Sequence, residues 1–278
     1  MGYSYLIPTL LDAPEGYDVT VDYSSDQLTR RLRGGVGKVR WTTRVYHDGR
    51  IVGGQEREVD FSQSSIEPLR YVWRGTDFAY NGRPGYVENS FATLGNDAEF
   101  TTKHPVGTYG FYSAPGKPSF RGDADFKFGS PPVIATVARF RRLIEAYPTS
   151  WLDRERGYGE SLVFINPYSR PILANIRGHD GRVLPRLRVE PQSGAMMRLE
   201  PLLRDDEARW VGRLQITANN RCLIFHVRHA FGDPTNIVDH EHLDPFRADT
   251  THLPAFQAIR QGIGRYLKMR FGITMGRM

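Results

Sequence analysis

The densest group of side chains able to bind a metal lies between His226 and His252. Five of the eight histidines fall in this segment. They are mixed with carboxylates, namely Asp233, Asp239, Glu241, Asp244 and Asp249. Neutral imidazole nitrogen and anionic carboxylate oxygen are ligands that zinc, iron and manganese accept in proteins. The segment therefore predicts either a divalent metal site or a polar loop.

The metal hypothesis starts from His240 and His242, which form an H-x-H pair. Side chains two residues apart on a strand share one face and are separated by about 6.6 Å, close enough to ligate one ion. His229 and Asp233, from the preceding strand end and turn, would complete the site. The hypothesis is a metal-dependent enzyme that holds zinc, iron or manganese, with no other cofactor.

The alternative for this segment is a structured loop whose Asp and His side chains bond to backbone groups. The segment lacks the helical H-E-x-x-H spacing, and it also lacks the glutamate that follows H-x-H in cupin-type barrels. Both absences favour the loop.

Nucleophilic catalysis finds little support in the sequence. Cys222 is the single cysteine and lies in an apolar strand, so we expect a buried, inert thiol. Cys222 and His226 are four residues apart, about 13 Å along a strand, too far for a nucleophile–base pair. Val163 occupies the last glycine position of a G-x-S-x-G elbow after Ser161. The sequence thus favours a protein that is not an enzyme.

An anion-binding loop is a weaker hypothesis. Arg30, Arg31 and Arg33 precede a Gly-Gly-Val-Gly-Lys run, but Val39 stands where a phosphate loop needs Ser or Thr. The net charge of +6 is spread over strand faces, and no nucleic-acid-binding signature is present. A nucleic-acid partner is therefore not expected.

Aromatic side chains in or beside the loops of the first half suggest a binding surface. The candidates are Tyr80, Tyr86, Tyr109 and Tyr112. An aromatic loop face would suit a sugar or a peptide, because rings offer flat apolar area with a polar edge. The alternative is that these rings fill the core.

Period-two alternation of apolar residues is the main structural signal of the chain. Residues 160–231 divide into short alternating runs separated by turn residues, which is typical of an antiparallel β-sandwich. Within them, Trp210, Leu214 and Ile216 are expected to face a core, and 221–229 is expected to be a central strand. Further strands are predicted at 38–46, 69–73, 86–94 and 108–113.

A repeated sequence suggests an internal duplication. The tetrapeptide His-Asp-Gly-Arg occurs at 47–50 and again at 179–182, and a Glu-Pro-Leu triplet follows at 67–69 and at 200–202. The spacing from the histidine to the triplet is 20 residues in one copy and 21 in the other. We interpret this as a duplicated β module. The alternative is chance reuse of Asp-Gly hairpin turns.

Two helices are predicted outside the strands. Residues 136–147 place apolar side chains on one face and end at Pro148. Residues 254–271 combine an apolar stripe with basic side chains. This C-terminal helix either packs on its own domain or docks on a membrane surface or a partner.

The predicted fold class is mainly β: tandem antiparallel β-sandwich modules with a connecting helix and a C-terminal helix. The expected divisions are an N-terminal arm (1–36), a first β-sandwich module (37–118) and a connector with its helix (119–158). A second β-sandwich module (159–232) and a His/Asp-rich loop with the C-terminal helix (233–278) follow.

The preferred function is a non-enzymatic scaffold that binds a protein, peptide or glycan partner through loop faces. The first residues carry no Lys or Arg, so no signal peptide is expected, and no apolar run is long enough to span a bilayer. We expect a cytoplasmic protein, and assembly into a homo-oligomer stays open.

Overall fold

The computed structural model describes 21 strands, joined mainly by antiparallel pairing. It describes residues 2–9, 18–23, 32–33, 38–60, 69–73, 83–94, 99–100, 108–113, 115–123, 125–126, 144–243, 246–247, 263, 266–267 and 269–271. Side chains are described for part of these ranges.

The first half of the chain contributes eleven strands. They are β1 Gly2–Pro8, β2 Asp18–Tyr23, β3 Leu32–Arg33, β4 Lys38–His47, β5 Arg50–Asp60, β6 Leu69–Trp73, β7 Tyr86–Leu94, β8 Glu99–Phe100, β9 Thr108–Ser113, β10 Phe120–Asp123 and β11 Asp125–Phe126. Several predicted boundaries are confirmed, since β6, β7 and β9 begin and end where the alternation does.

The second half contributes ten strands and a short 3-10 helix, Glu200–Leu202. The strands are β12 Ile144–Ala146, β13 Thr149–Asp153, β14 Tyr158–Asn166, β15 Ile172–Gly178, β16 Leu187–Val189, β17 Ser193–Arg198, β18 Arg209–Ala218, β19 Leu223–Ala230, β20 Asp233–Leu243 and β21 Phe246–Arg247. Near the C-terminus, residues 263, 266, 267 and 269–271 are helical.

Two large sheets organise these strands. A five-stranded sheet has the order β11-β1-β7-β4-β5. A 14-stranded sheet follows the path β16-β15-β18-β13-β14-β19-β20-β10-β9-β2-β6, with β12, β17 and β21 attached beside it. Its pairs are antiparallel except for β10 and β20, which meet in parallel at Gly122 and His240. The mainly β, antiparallel fold class is confirmed.

The core of the second half lies against β14, which is buried on both faces. Leu162 and Phe164 join the main apolar cluster, whereas Val163 and Ile165 point to the opposite face and are also fully buried. A strand covered on both sides needs an apolar run instead of strict alternation. The predicted core positions Trp210, Leu214 and Ile216 are confirmed.

Strand β19 is central, as predicted, because it pairs with β14 on one side and with β20 on the other. Cys222 lies just before it and is buried, which agrees with the expected inert thiol.

The internal duplication is not confirmed. The first His-Asp-Gly-Arg forms the tight turn between β4 and β5, where Asp48 and Gly49 both have positive φ. The second follows β15, and a single bridge from Arg177 to Val183 precedes β16. Leu69 of the first Glu-Pro-Leu begins β6, whereas Glu200–Leu202 is a 3-10 helix. The two copies therefore differ in local structure where both are described.

Two segments differ from their predicted structure. Ile144–Ala146, the end of the predicted connecting helix, is a strand that pairs with β18, and Ile144 and Ala146 fill the core. The remainder of that helix, 136–143, lies outside the described residues. The start of the predicted His/Asp-rich loop is strand β20, because its backbone pairs along β19.

Candidate binding face

Strands β13 and β18 expose one face of their pair to solvent. Thr149 lies opposite Arg213, and Trp151 lies opposite Val211. All of these side chains are exposed, whereas the intervening Leu152 is buried. The period-two alternation of an antiparallel pair explains this division, since successive side chains point to opposite faces.

The exposed face carries aromatic rings with arginines beside them. The Trp151 side chain is 37% exposed, and its ring centroid lies 5.1 Å from that of Tyr158 with a tilt of 37°. The guanidinium of Arg156 lies 5.9 Å from the Trp151 ring, and that of Arg213 lies 5.8 Å from the Tyr147 ring. We call this surface the Trp151 face; it comprises Tyr147, Trp151, Arg156, Tyr158, Val211 and Arg213.

One buried carboxylate lies beside both central aromatic residues. Glu160 Oε2 accepts the backbone N–H of Trp151 at 3.1 Å, and the Glu160 charge also acts on the Tyr158 hydroxyl. Burial raises the pKa of Tyr158, and the negative charge of Glu160 raises it further. The Tyr158 hydroxyl therefore stays protonated at neutral pH and remains a hydrogen-bond donor.

The Glu160 carboxylate has a histidine partner beneath the face. His226 Nε2 lies 2.8 Å from Glu160 Oε2, and both side chains are almost fully buried. Ser150 Oγ lies 3.4 Å from the same nitrogen. Removing one member of such a pair leaves an uncompensated buried charge or donor, so the pair fixes the position of β14 relative to β19.

A second pair of residues, Ser161 and His229, resembles a nucleophile with its base. The Nδ1–H of His229 donates to the Ala230 carbonyl at 2.9 Å, so Nε2 is left to accept the Ser161 hydroxyl at 2.8 Å. Both side chains are buried inside the sheet. Without access for a substrate, this hydrogen bond supports the structure of β14 and β19.

The close fit around His229 requires glycine at position 159. A Cβ there would lie 2.8 Å from His229 Cε1 and 3.1 Å from Glu200 Oε1. Glu200 itself accepts the backbone N–H of Gly232 at 2.7 Å and pairs with Arg198. Because its carboxylate makes these contacts, Glu200 stabilises the turn after β19.

His240 lies in an aromatic box. Tyr112, Phe120 and Phe225 meet its ring edge-on, with centroids 4.9, 6.1 and 5.4 Å away. Neither ring nitrogen has a hydrogen-bond partner among the described residues. Burial lowers the pKa of His240 to about 3, with a smaller contribution from His242. The imidazole is therefore neutral at physiological pH.

The four predicted metal ligands contact different neighbouring residues. His229 bonds to Ser161, and Asp233 bonds to Lys117 and Thr235. His240 and His242 share one strand, opposite Val227 and Phe225 of β19. Within the described ranges, no group of three or more His, Cys, Asp or Glu side chains is placed to hold a metal ion. The metal hypothesis stays a prediction.

The predicted aromatic and arginine surfaces have mixed outcomes. Tyr86 and Tyr112 are corrections, because both are buried: Tyr86 stacks on Tyr46, and Tyr112 stacks on Phe120. Burial raises the pKa of both hydroxyls. Tyr109 lies in β9 and Arg33 in β3, without described side chains, while Tyr80, Arg30 and Arg31 lie outside the described residues.

The sequence does not predict the Trp151 face, because residues 119–158 are interpreted there as a connector. A signal is present ahead of the Asp153 turn: with period two, Ser150 and Leu152 share one face of a strand and Trp151 lies on the other. That local pattern predicts neither the pairing of this segment with β18 nor the exposure of Trp151.

Comparisons with known proteins leave the family open. No family model and no curated protein matches the chain. Among solved structures it is similar to a glycosyl hydrolase family 2 member from Bacteroides cellulosilyticus, at 11% identity and a TM-score of 0.19, covering 88% of this chain and 28% of that one. A Ruminococcus gnavus β-glucuronidase matches at 10% identity and a TM-score of 0.17, covering 88% and 35%.

A Bifidobacterium dentium β-glucuronidase matches at 14% identity and a TM-score of 0.14, covering 88% of this chain and 39% of that one. The chain thus spans less than half the length of these enzymes, and TM-scores this low carry no argument about its function. Within the described residues, no helix is both long and apolar enough to cross a membrane.

Proposed function

We propose that the protein is a non-catalytic binding module that holds a glycan on the Trp151 face. The observation that supports this is the exposed Trp151 ring next to Tyr158, with arginines over the neighbouring aromatic rings. The rings lie on paired strands, so the surface is preformed. A preformed surface binds with little ordering cost.

The chemistry of the face suits a sugar chain. Flat aromatic rings offer apolar area for the C–H faces of sugar rings, and the Tyr158 hydroxyl offers a polar edge. The exposed guanidiniums of Arg156 and Arg213 present several fixed N–H donors for sugar hydroxyl or carboxylate oxygens.

Burial of the acid–base pairs supports binding over catalysis. Glu160 and Ser150 contact His226, and Ser161 contacts His229, in the described core. Each is almost inaccessible to solvent. A catalytic group must reach its substrate within hydrogen-bond distance, and these groups lie below the surface.

Affinity gel electrophoresis of the intact protein tests the proposal. Gels cast with neutral, acidic or amino polysaccharides should retard the protein in at least one case. Trp151→Ala should remove the retardation, because the stacking surface is lost. Ile51→Ser is the matched control, since Ile51 is an exposed apolar side chain on the other sheet. Equal migration of all three proteins in every gel contradicts the proposal.

The alternative function is the metal-dependent enzyme. One observation favours it: the two nitrogens of His240 lack hydrogen-bond partners among the described residues, and a neutral imidazole with a free nitrogen is a metal ligand. Elemental analysis of the purified protein tests it. Stoichiometric zinc, iron or manganese that is lost in the His240→Ala/His242→Ala variant would favour the enzyme.

A further inference from the structure

The C-terminal helical segment exposes a row of large apolar side chains. Ile263 is 44% exposed, Tyr266 58%, Met269 81% and Phe271 61%. The Tyr266 and Phe271 ring centroids are 6.3 Å apart, so the two rings form one surface. A single exposed apolar side chain is ordinary, but a contiguous patch marks an interaction site. The alternative of a helix whose apolar side chains pack on its own domain does not fit these four residues.

Their spacing places most of the apolar groups on one side of the helix. Ile263, Tyr266, Leu267 and Phe271 follow the i, i+3, i+4, i+8 pattern of a single helical face. Leu267 is half-buried between them. Arg270, at the i+7 position, lies on the same face and is also exposed, so the solvent-facing side of the described helical residues combines apolar side chains with one cation.

The charge of this segment is of one sign. Residues 251–278 contain Arg260, Arg265, Lys268, Arg270 and Arg277, and no Asp or Glu. Like charge opposes pairing of two such helices, so a second copy of this chain is a poor occupant. An anionic surface is complementary to it.

An anionic lipid bilayer offers both chemistries that the helix presents. Its hydrocarbon accepts an aliphatic side chain such as Ile263, which a nucleic acid does not accommodate. Its phosphate headgroups attract Arg and Lys, and tyrosine favours the boundary between the headgroups and the hydrocarbon.

We propose that the C-terminal helix lies in the interface of an anionic lipid bilayer, with Ile263, Tyr266 and Phe271 inserted below the headgroups. This inference is independent of glycan binding, because it uses a different part of the chain. It describes a peripheral contact of the helix and not a membrane span.

Sedimentation of the intact protein with vesicles tests the inference. Vesicles of phosphatidylcholine mixed with phosphatidylglycerol should carry the protein into the pellet, whereas vesicles of phosphatidylcholine alone should not, and high salt should release it. Tyr266→Ser/Phe271→Ser should weaken binding by more than about tenfold, since two inserted rings are lost. Arg270→Glu, which keeps the apolar groups, should weaken it by about fivefold or more.

Ile51→Ser is again the control, because it removes an exposed apolar side chain elsewhere and should leave vesicle binding unchanged. Circular dichroism melts should show that all variants fold, as the altered side chains are exposed. The inference is overturned by absence of binding, by equal binding to both kinds of vesicle, or by variants that bind like the wild type. It is also overturned if the double variant only dissolves an oligomer or only lowers RNA binding.

Discussion

Protonation of His240 should destabilise the protein in mild acid. The ring is enclosed by Tyr112, Phe120 and Phe225, and its pKa in the folded state is about 3 against an ordinary value of 6.5. In the unfolded chain the same ring is protonated below pH 6.5. The unfolded state therefore binds more protons, and the free energy of unfolding falls as the pH falls.

The magnitude follows from the two pKa values. One pKa unit corresponds to about 1.4 kcal/mol, so the difference between the two pKa values corresponds to about 5 kcal/mol, which is lost in full only below pH 3. Between pH 7 and pH 5 the loss is about 2 kcal/mol. The part of the free energy of unfolding that depends on a neutral His240 is complete above pH 6.5 and is lost progressively as the pH falls below that value.

Urea unfolding at pH 7 and pH 5 measures this loss, with His240→Leu as the test variant. The wild type should lose about 2 kcal/mol more than His240→Leu between the two pH values, because leucine has no proton to bind. Tyr112→Phe is the control: it alters the same box, but no charge titrates in that range, so its loss should match that of the wild type. If His240→Leu instead loses as much as the wild type, His240 is not held neutral by burial, and the reasoning fails.

Three further substitutions test the contacts around the site. Glu160→Ala should lower the free energy of unfolding by about 3 kcal/mol or more, because it leaves the buried His226 without its carboxylate partner. It should also weaken polysaccharide retention, because the hydrogen bond to the Trp151 backbone is lost. Unchanged stability contradicts this. Ser161→Ala should cost about 1–2 kcal/mol through its lost bond to His229 and leave retention unchanged; lost retention in a folded variant would show that Ser161 takes part in binding. Gly122→Ala places a Cβ 1.9 Å from the His240 ring, so its cost in urea unfolding should fall sharply in a His240→Ala background; equal costs in both backgrounds refute the clash.

Much of the strand order along the chain was predictable because alternation and turn residues mark where strands begin and end. β7, at Tyr86–Leu94, matches its prediction residue for residue. The sequence also marked β19 as central, because its apolar residues lie on both faces. Such patterns report local periodicity, which is a short-range property.

The candidate site was less predictable because exposure depends on which strands meet. Tyr112 and Trp151 both follow alternating patterns, yet Tyr112 is buried beside His240 and Trp151 is exposed. The His and Asp residues of β20 are typical of a loop by composition, and pairing with β19 overrides that preference. Cross-strand partners far apart in sequence decide these outcomes.

The most direct test of the account is the dissociation constant of the intact protein for a retained polysaccharide, compared between the wild type and Trp151→Ala. The account predicts a loss of at least about tenfold, in line with the removal of one aromatic stacking surface. The variant should stay folded with a lower urea midpoint, because Trp151 is 37% exposed and its ring also contacts Tyr158. An equal dissociation constant for a folded Trp151→Ala protein would contradict the assignment of the Trp151 face as the binding surface.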